Sequence, residues 1–233
     1  MKFSIAKEVF EHFPELSIGL IIAEGIDNTG KSKELDELIS EIVELVRTSY
    51  NPTEFANDQL ISPWKSAYFD YEEKPHSTHS SVERLMIDVV ESGDIERKNK
   101  LKDLCNFMCL KHTVPVECFD SEKINAELIL KRAKGNEFFY DAEQKKKINP
   151  EKGEFIYADK VNVLARKLDY SDSDKALTSN KTKKAVILIE GLKPLTKAKV
   201  EKIADETAEL IEGFCKGKTR VFMLDKENSS IEF

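Results

Sequence analysis

Residues 17–23 (SIGLIIA) are almost unbroken apolar chain over a strand's length, the pattern of a strand buried on both faces. Beyond a turn at Gly25–Gly30, Leu35, Leu38, Ile39, Ile42, Val43 and Val46 recur every three or four residues and predict an amphipathic helix over 32–49. Ser32 suits its N-cap, and Glu34 and Asp36 suit its first turn, where the helix dipole favours anions. A loop follows over 50–62. Three more helices are predicted: 63–71, opening on Pro63; 80–92, capped by Ser80 or Ser81 and closed near Gly93; and 100–112. After Pro115 the texture changes to short β-type runs at 127–133, 137–140, 154–158, 161–168 and 185–190. The polar stretch 141–153 reads as a loop, and 170–184 as polar and mobile. Pro194 opens a long helix to 215, and 219–224 reads as a final strand. Helices and strands come partly in blocks and no linker divides them, so one α+β domain over 1–233 is expected.

Composition narrows the class. The chain has 233 residues, 40% hydrophobic and 34% charged, with 9 Gly and 7 Pro, which excludes collagen, a disulfide scaffold and a mostly disordered chain. No apolar run approaches the ~20 residues needed to span a bilayer, and Glu8 and Glu11 break the stretch a signal peptide would need. Cys105, Cys109, Cys118 and Cys215 form no CxxC pair. Cys105 and Cys109 share a helical face as core, and even with His112 on that face no zinc quartet exists, so no metal is expected. Free thiols fit a reducing cytoplasm. Net charge is −7, but it is uneven. Residues 131–184 hold 14 Lys and Arg against 9 Asp and Glu, which is compatible with local phosphate contact or with a lysine-rich solvated face.

Gly25-Ile26-Asp27-Asn28-Thr29-Gly30-Lys31-Ser32 satisfies G-x-x-x-x-G-K-[ST] between a predicted strand and helix. A P-loop needs that context, because backbone N–H groups and a helix N-terminus cradle phosphate. Alone, the string suggests a nucleotide kinase. Yet a P-loop enzyme also needs a parallel sheet and a later strand ending in a metal-holding Asp, and Asp159 and Asp225 do not follow βα alternation. Arginines for a phosphoryl-clamping lid are scarce. The competing reading is a plain strand–turn–helix.

Residues 62–70 (SPWKSAYFD) and 80–85 (SSVERL) resemble the free-standing relatives of the B3/B4 editing and tRNA-binding domain of the phenylalanyl-tRNA synthetase beta subunit. Asn99, Asp103-Leu104-Cys105-Asn106, PVECFD (115–120), Lys131-Arg132-Ala133, Gly135-Glu137-Phe138, Pro150-Gly153-Glu154-Tyr157-Asp159 and Val163–Lys167 continue the resemblance in order, with Ala176–Thr178 and Lys181-Thr182 last. The string at 18–30 is also similar to that family's opening, which explains the apparent P-loop without nucleotide chemistry. The resemblance covers about residues 15–215. It implies a three-layer α+β domain around a β-sandwich-like core. It also implies hydrolysis of mischarged aminoacyl-tRNA in trans by an oriented water, without cofactor, metal or covalent intermediate. A non-catalytic RNA or amino-acid binding module is the alternative. tRNA or aminoacyl-tRNA is the expected partner, with a synthetase as a possible second.

The resemblance assigns roles residue by residue. Glu117 stands where the synthetase module has a His, and would orient water or receive the substrate α-amino group. The module's Gly-Gly-Glu loop is not recognisable; the nearest segment is Asp169-Tyr170-Ser171-Asp172. Either Asp169 or Asp172 supplies its acid, or the substrate differs, or the module binds without catalysing. Asn99, Asn106, Thr178 and Thr182 would line the pocket, although Asn99 equally suits a helix cap and the threonines suit turns. Lys131, Arg132, Lys145, Lys146, Lys147, Arg166 and Lys167 would hold the tRNA. Strand alternation puts Arg166 and Lys167 on opposite faces, so at most one faces a pocket. Trp64, Tyr68 and Phe69 read as core packing, and His76 and His79 as surface.

Overall fold

The computed structural model describes residues 1–50, 57–68, 79–142, 144–168 and 171–233. In chain order the elements are β1 (Lys2–Ile5), α1 (Lys7–His12), β2 (Ser17–Glu24), α2 (Lys33–Ser49), α3 (Ser62–Tyr68), α4 (Ser81–Ser92), α5 (Lys100–His112), β3 (Val116–Asp120), β4 (Glu127–Arg132), β5 (Phe139–Asp141), β6 (Lys146–Ile148), β7 (Phe155–Ala158), β8 (Val163–Arg166), β9 (Ser171–Asp172), β10 (Lys184–Gly191), α6 (Lys197–Cys215), β11 (Lys218–Leu224) and β12 (Ser230–Glu232). Two sheets and a helical layer stack into three layers. One sheet runs β11-β2-β10-β3 and is antiparallel throughout; the other runs β12-β1-β4-β7-β8-β9, with only β1–β4 parallel.

The apolar run at 17–23 is explained by its place. β2 sends Ile18, Leu20 and Ile22 towards the second sheet, and Ile21 and Ala23 towards the helices. β10 does the same, with Val186 and Leu188 on one face and Ala185, Ile187 and Ile189 on the other. A strand covered on both sides has no polar face to alternate with. α6 crosses this sheet closely. A Cβ on Gly19 would lie 2.8 Å from the Ala204 Cβ, and one on Gly191 would lie 2.3 Å from Val200 Cγ2. Both glycines therefore admit the helix.

The long helices lie where periodicity places them, and their caps are those expected. Ser32, Ser80 and Asn99 each accept an N–H from the first turn, and Gly93 closes α4 in the left-handed region at φ 84°. Trp64 is fully enclosed in the inter-sheet core. Phe69 and His76 lie outside the described residues, as does residue Asp169. The short elements depart from expectation. β1, α1, β3 and β12 were not predicted, and β6 lies inside the predicted loop 141–153. β1 pairs with β12 from the far end of the chain, Lys2 opposite Glu232. Strands of three to five residues with such distant partners leave little local signal. None of the described helices is long and apolar enough to cross a membrane.

Candidate functional site

β3 is an edge strand: its Asp120 N–H is met by Ala176 O at 2.8 Å, while Cys118 N–H has no strand partner among the described residues. Glu117 answers part of this locally: its Oε1 accepts the N–H of Cys118 at 2.9 Å. The same oxygen takes the Lys102 ammonium at 2.8 Å, delivered from the first turns of α5. Glu117 is buried, and the ammonium offsets part of the hydration that its carboxylate loses. Its Oε2 accepts no hydrogen bond among the described residues. Asn106, one turn beyond Lys102, is half-exposed and likewise makes no hydrogen bond among them. The edge of β3 therefore presents an acid oxygen and an amide with open hydrogen-bonding capacity.

Asn99 extends this seam at the start of α5. Its Oδ1 accepts the Lys102 N–H at 3.2 Å and an Asn28 Nδ2–H at 2.7 Å, and its own Nδ2 donates to Thr178 Oγ1 at 3.4 Å. Cys118 Sγ lies 3.8 Å from the same hydroxyl. Asn99 is thus both helix cap and seam residue. Thr182 sits deeper as a turn staple, donating to Asp120 Oδ2 at 2.7 Å and accepting the Ser179 N–H at 2.9 Å. Beside Asn99 opens a polar cavity of about 280 Å³, lined among others by Lys31, Lys98, Lys100 and Asn180. A second, mainly apolar groove of about 480 Å³ lies at the other end, between Phe13, Pro14, Pro63 and Leu192.

The G-x-x-x-x-G-K-S segment does not form a phosphate cradle. β2 has antiparallel neighbours on both sides. Ile26 N–H donates to Lys183 O, Asp27 N–H to Cys215 O, and Thr29 N–H to Asp27 Oδ1. Asn28 turns inward and caps α5, its Oδ1 accepting the Leu101 N–H at 2.8 Å. Three of the loop's amides are thus bonded within the fold and β2 has no parallel neighbour, so the segment lacks the sheet context of a P-loop enzyme.

Nor is a thiol nucleophile placed here. A hydrogen bond to Cys118, together with burial, holds the Cys105 thiol well above its ordinary range, and burial pushes Cys215 up to about 11. Neither is a thiolate near neutral pH. No cluster of metal-ligating side chains occurs among the described residues. His112 instead faces Glu206, Nε2 to Oε2 at 2.8 Å.

Behind the seam, in the interior between the sheets, lies Glu190. The Tyr157 hydroxyl of the opposite sheet donates to its Oε1, while its Oε2 is sealed from solvent with no partner among the described residues. Burial pushes its carboxyl up to about 7; the Tyr157 bond opposes this shift and the nearby Glu117 charge adds to it.

The cations named from sequence separate into two groups. Arg166 and Lys167 are both buried, and Arg166 donates to Glu154 from Nε at 2.8 Å and from Nη2 at 2.7 Å. Its guanidinium is thus engaged by Glu154 within the fold. Arg132 is half-buried, bonded to Gly153 O and lying 4.4 Å from the Phe155 ring centroid, and Lys131 faces Glu137 at 3.7 Å. Lys145, Lys146 and Lys147 are exposed on the β5–β6 ribbon.

Sequence reading did not single out Asn28, Lys102, Tyr157 or Glu190 as site residues. A weak signal existed for Lys102, three residues after Asn99 and four before Asn106, which places all three along one face of a helix.

The family model of the B3/4 domain matches residues 63–216. None of the curated proteins compared matches the chain. Among solved structures, the chain is similar to an N-terminal fragment of the phenylalanyl-tRNA synthetase beta-subunit from Pyrococcus horikoshii, with a TM-score of 0.48 and 13% identity over 94% of this chain. It spans about half of that chain, 50%. With the match running from α3 to the end of α6 and so including the whole α5–β3 seam, the chain belongs to the B3/4 domain family.

Proposed function

We propose that this protein acts in trans on aminoacyl-tRNA, hydrolysing the ester of mischarged species at the α5–β3 seam. One observation carries the reading: Glu117 is a buried carboxylate whose Oε1 is held by Lys102 and Cys118 while Oε2 accepts no hydrogen bond among the described residues, and Lys102 shares one face of α5 with Asn99 and Asn106. A water bonded to Oε2 gives up a proton to the carboxylate as its oxygen attacks the ester carbonyl. The Lys102 ammonium supports the developing oxyanion, and the ribose hydroxyl leaves with the proton returned through Glu117. This asks little of the protein beyond an oriented water and a polarised carbonyl. The cavity beside Asn99, where Lys31, Arg97, Lys98 and Lys100 outnumber Asp36 and Asp103, suits the phosphate and ribose of the terminal nucleotide. Polar side chains along the seam support discrimination between amino acids that differ by a hydroxyl, because a buried donor left unpaired rejects the wrong substrate. Asp169 remains the proposed second acid.

The test is deacylation of a panel of correctly and incorrectly charged tRNAs by the full chain. Selective hydrolysis of one mischarged species is expected. Glu117→Gln, nearly isosteric but unable to take a proton, is expected to slow that hydrolysis by about 100-fold, within the range for a positioned base. Tight binding without any hydrolysis across the panel would instead make the protein a non-catalytic binding module.

A further inference from the structure

β5 and β6 form a two-stranded ribbon lying over the six-stranded sheet. Its inner face is anchored by Phe139, buried with Ile156, Ala158 and Val163, and by Ile148 packed against them. Alternation then turns Phe138 and Tyr140 to the outer face, where Tyr140 stands opposite Lys147. Phe138 is 64% exposed, and Val161 of the adjoining β7–β8 turn is 71% exposed. The Lys147 ammonium lies 5.8 Å from the Phe138 ring centroid, and Lys145 of the adjoining turn is exposed as well.

A single exposed apolar side chain is ordinary. What distinguishes this surface is the disposition of charge around it. Most described acids of the neighbourhood are engaged within the fold; Asp174, whose N–H meets Tyr140 O, is exposed and paired with Lys175 at 3.2 Å. Asp141 is buried and accepts the Gln144 N–H, and Glu154 is held by Arg166. Asp159 accepts the N–H groups of Asn125, Val161 and Asn162, which bring its carboxyl below the ordinary range although burial pushes it up. Glu137 is folded back onto the Lys134 and Gly135 N–H groups. The lysines point out. On a chain of net charge −7, the ribbon therefore offers an exposed aromatic face within a local field of cations.

We propose that the outer face of the β5–β6 ribbon is a stacking platform for unpaired nucleotides, with a base laid on Phe138 and the adjoining phosphates met by Lys147 and by Lys145 of the adjoining turn. An aromatic ring bordered by ammonium groups is the element that binds single strands without reading sequence. A duplex keeps its base faces stacked inside and has none to offer, so an unpaired end is favoured. The inference deepens the reading above, since a single-stranded tRNA end is the natural occupant, and it rests on that reading for its biological partner.

The probe is a labelled, unstructured oligoribonucleotide of about 12 nucleotides, within the usual site sizes. Binding to the full chain is followed by anisotropy, alongside a hairpin duplex and anionic lipid vesicles. Phe138→Ala is expected to weaken single-strand binding by about 5- to 100-fold, the equivalent of one lost stack, and Phe138→Trp to retain it. Replacing Lys145 and Lys147 with Gln is expected to flatten the dependence of log affinity on log salt by about 1.4, near 0.7 for each phosphate contact on a single strand. Circular dichroism checks that each variant stays folded. Unchanged affinity in Phe138→Ala overturns the platform, as does equal affinity for the duplex or Phe138-dependent binding to vesicles in place of RNA. If the platform fails while the deacylation panel still shows a selective substrate, the ester reading stands; if neither RNA binding nor deacylation is found, both fall.

Discussion

Replacing Glu154 with alanine is expected to remove about 3–5 kcal/mol of unfolding free energy, the cost of breaking a buried, hydrogen-bonded ion pair from one side. Glu154 is fully buried and accepts four hydrogen bonds: two from Arg166, at 2.8 and 2.7 Å, and the backbone N–H groups of Lys167 at 3.3 Å and Glu151 at 3.0 Å. Alanine would take two hydrogen bonds from a guanidinium that lies 5.7 Å from the Phe139 ring centroid, and remove the acceptor of two backbone N–H groups. Natural domains are stable by only about 5–15 kcal/mol, so the variant should sit near its unfolding limit. A urea titration reads this as a lower midpoint at unchanged slope. Replacing Glu154 and Arg166 together by apolar residues of similar size should recover much of the loss, because the pair's attraction largely offsets the cost of dehydrating it. That recovery separates an ion-pair effect from a general packing defect.

Glu190→Gln carries the second large effect, and it depends on pH. In the folded protein this carboxyl titrates at about 7, against an ordinary value of 4.5. Between those values the folded state keeps a proton that the unfolded state has released, so stability falls as pH rises through the window. The contribution is fully present below about pH 4.5, and by pH 8 roughly 3 kcal/mol of it is lost, at about 1.36 kcal/mol per unit. Gln keeps a group that can accept from Tyr157 and cannot ionise. The variant should therefore gain on the natural chain as pH rises, with the difference between them growing by about 3 kcal/mol from pH 4.5 to pH 8. Parallel stability curves for the two proteins would show that another group governs this range. The groups facing Glu190 are Tyr157 from β7 and Glu117 from β3, so Glu117→Gln should lower the Glu190 titration point.

These two carboxylates also show where sequence reading succeeds and stops. α2, α4, α5 and α6 were legible because each carries an apolar stripe with a cap beside it, and the buried strands β2 and β10 because they are apolar without interruption. β1 and β12 were not, since Lys2 and Glu232 meet only when the whole chain has closed. The β6 lysines looked like a loop because the ribbon's inner face is carried mainly by Phe139 and Ile148. Glu117, Asn99 and Thr178 were named from a family pattern, yet what joins them is Lys102, whose direction follows from how α5 packs on β3. Arg166 resembled a surface cation because Glu154, twelve residues away, pairs with it only across the β7–β8 hairpin. Glu190 ends an apolar run and reads as a strand terminus; its isolation appears only when the second sheet brings Tyr157 over it.

The most direct test of the account is where the reactive end of the substrate sits. A titration of ¹⁵N-labelled protein with a non-hydrolysable 3′-aminoacylamide analogue of the charged adenosine end, followed by backbone amide shifts, reports this position. The account predicts the largest changes along 99–106, 116–120 and 177–182, weakened in Glu117→Gln. Changes centred instead on the apolar groove at Phe13, Pro14 and Leu192, with the α5–β3 seam silent, would contradict it.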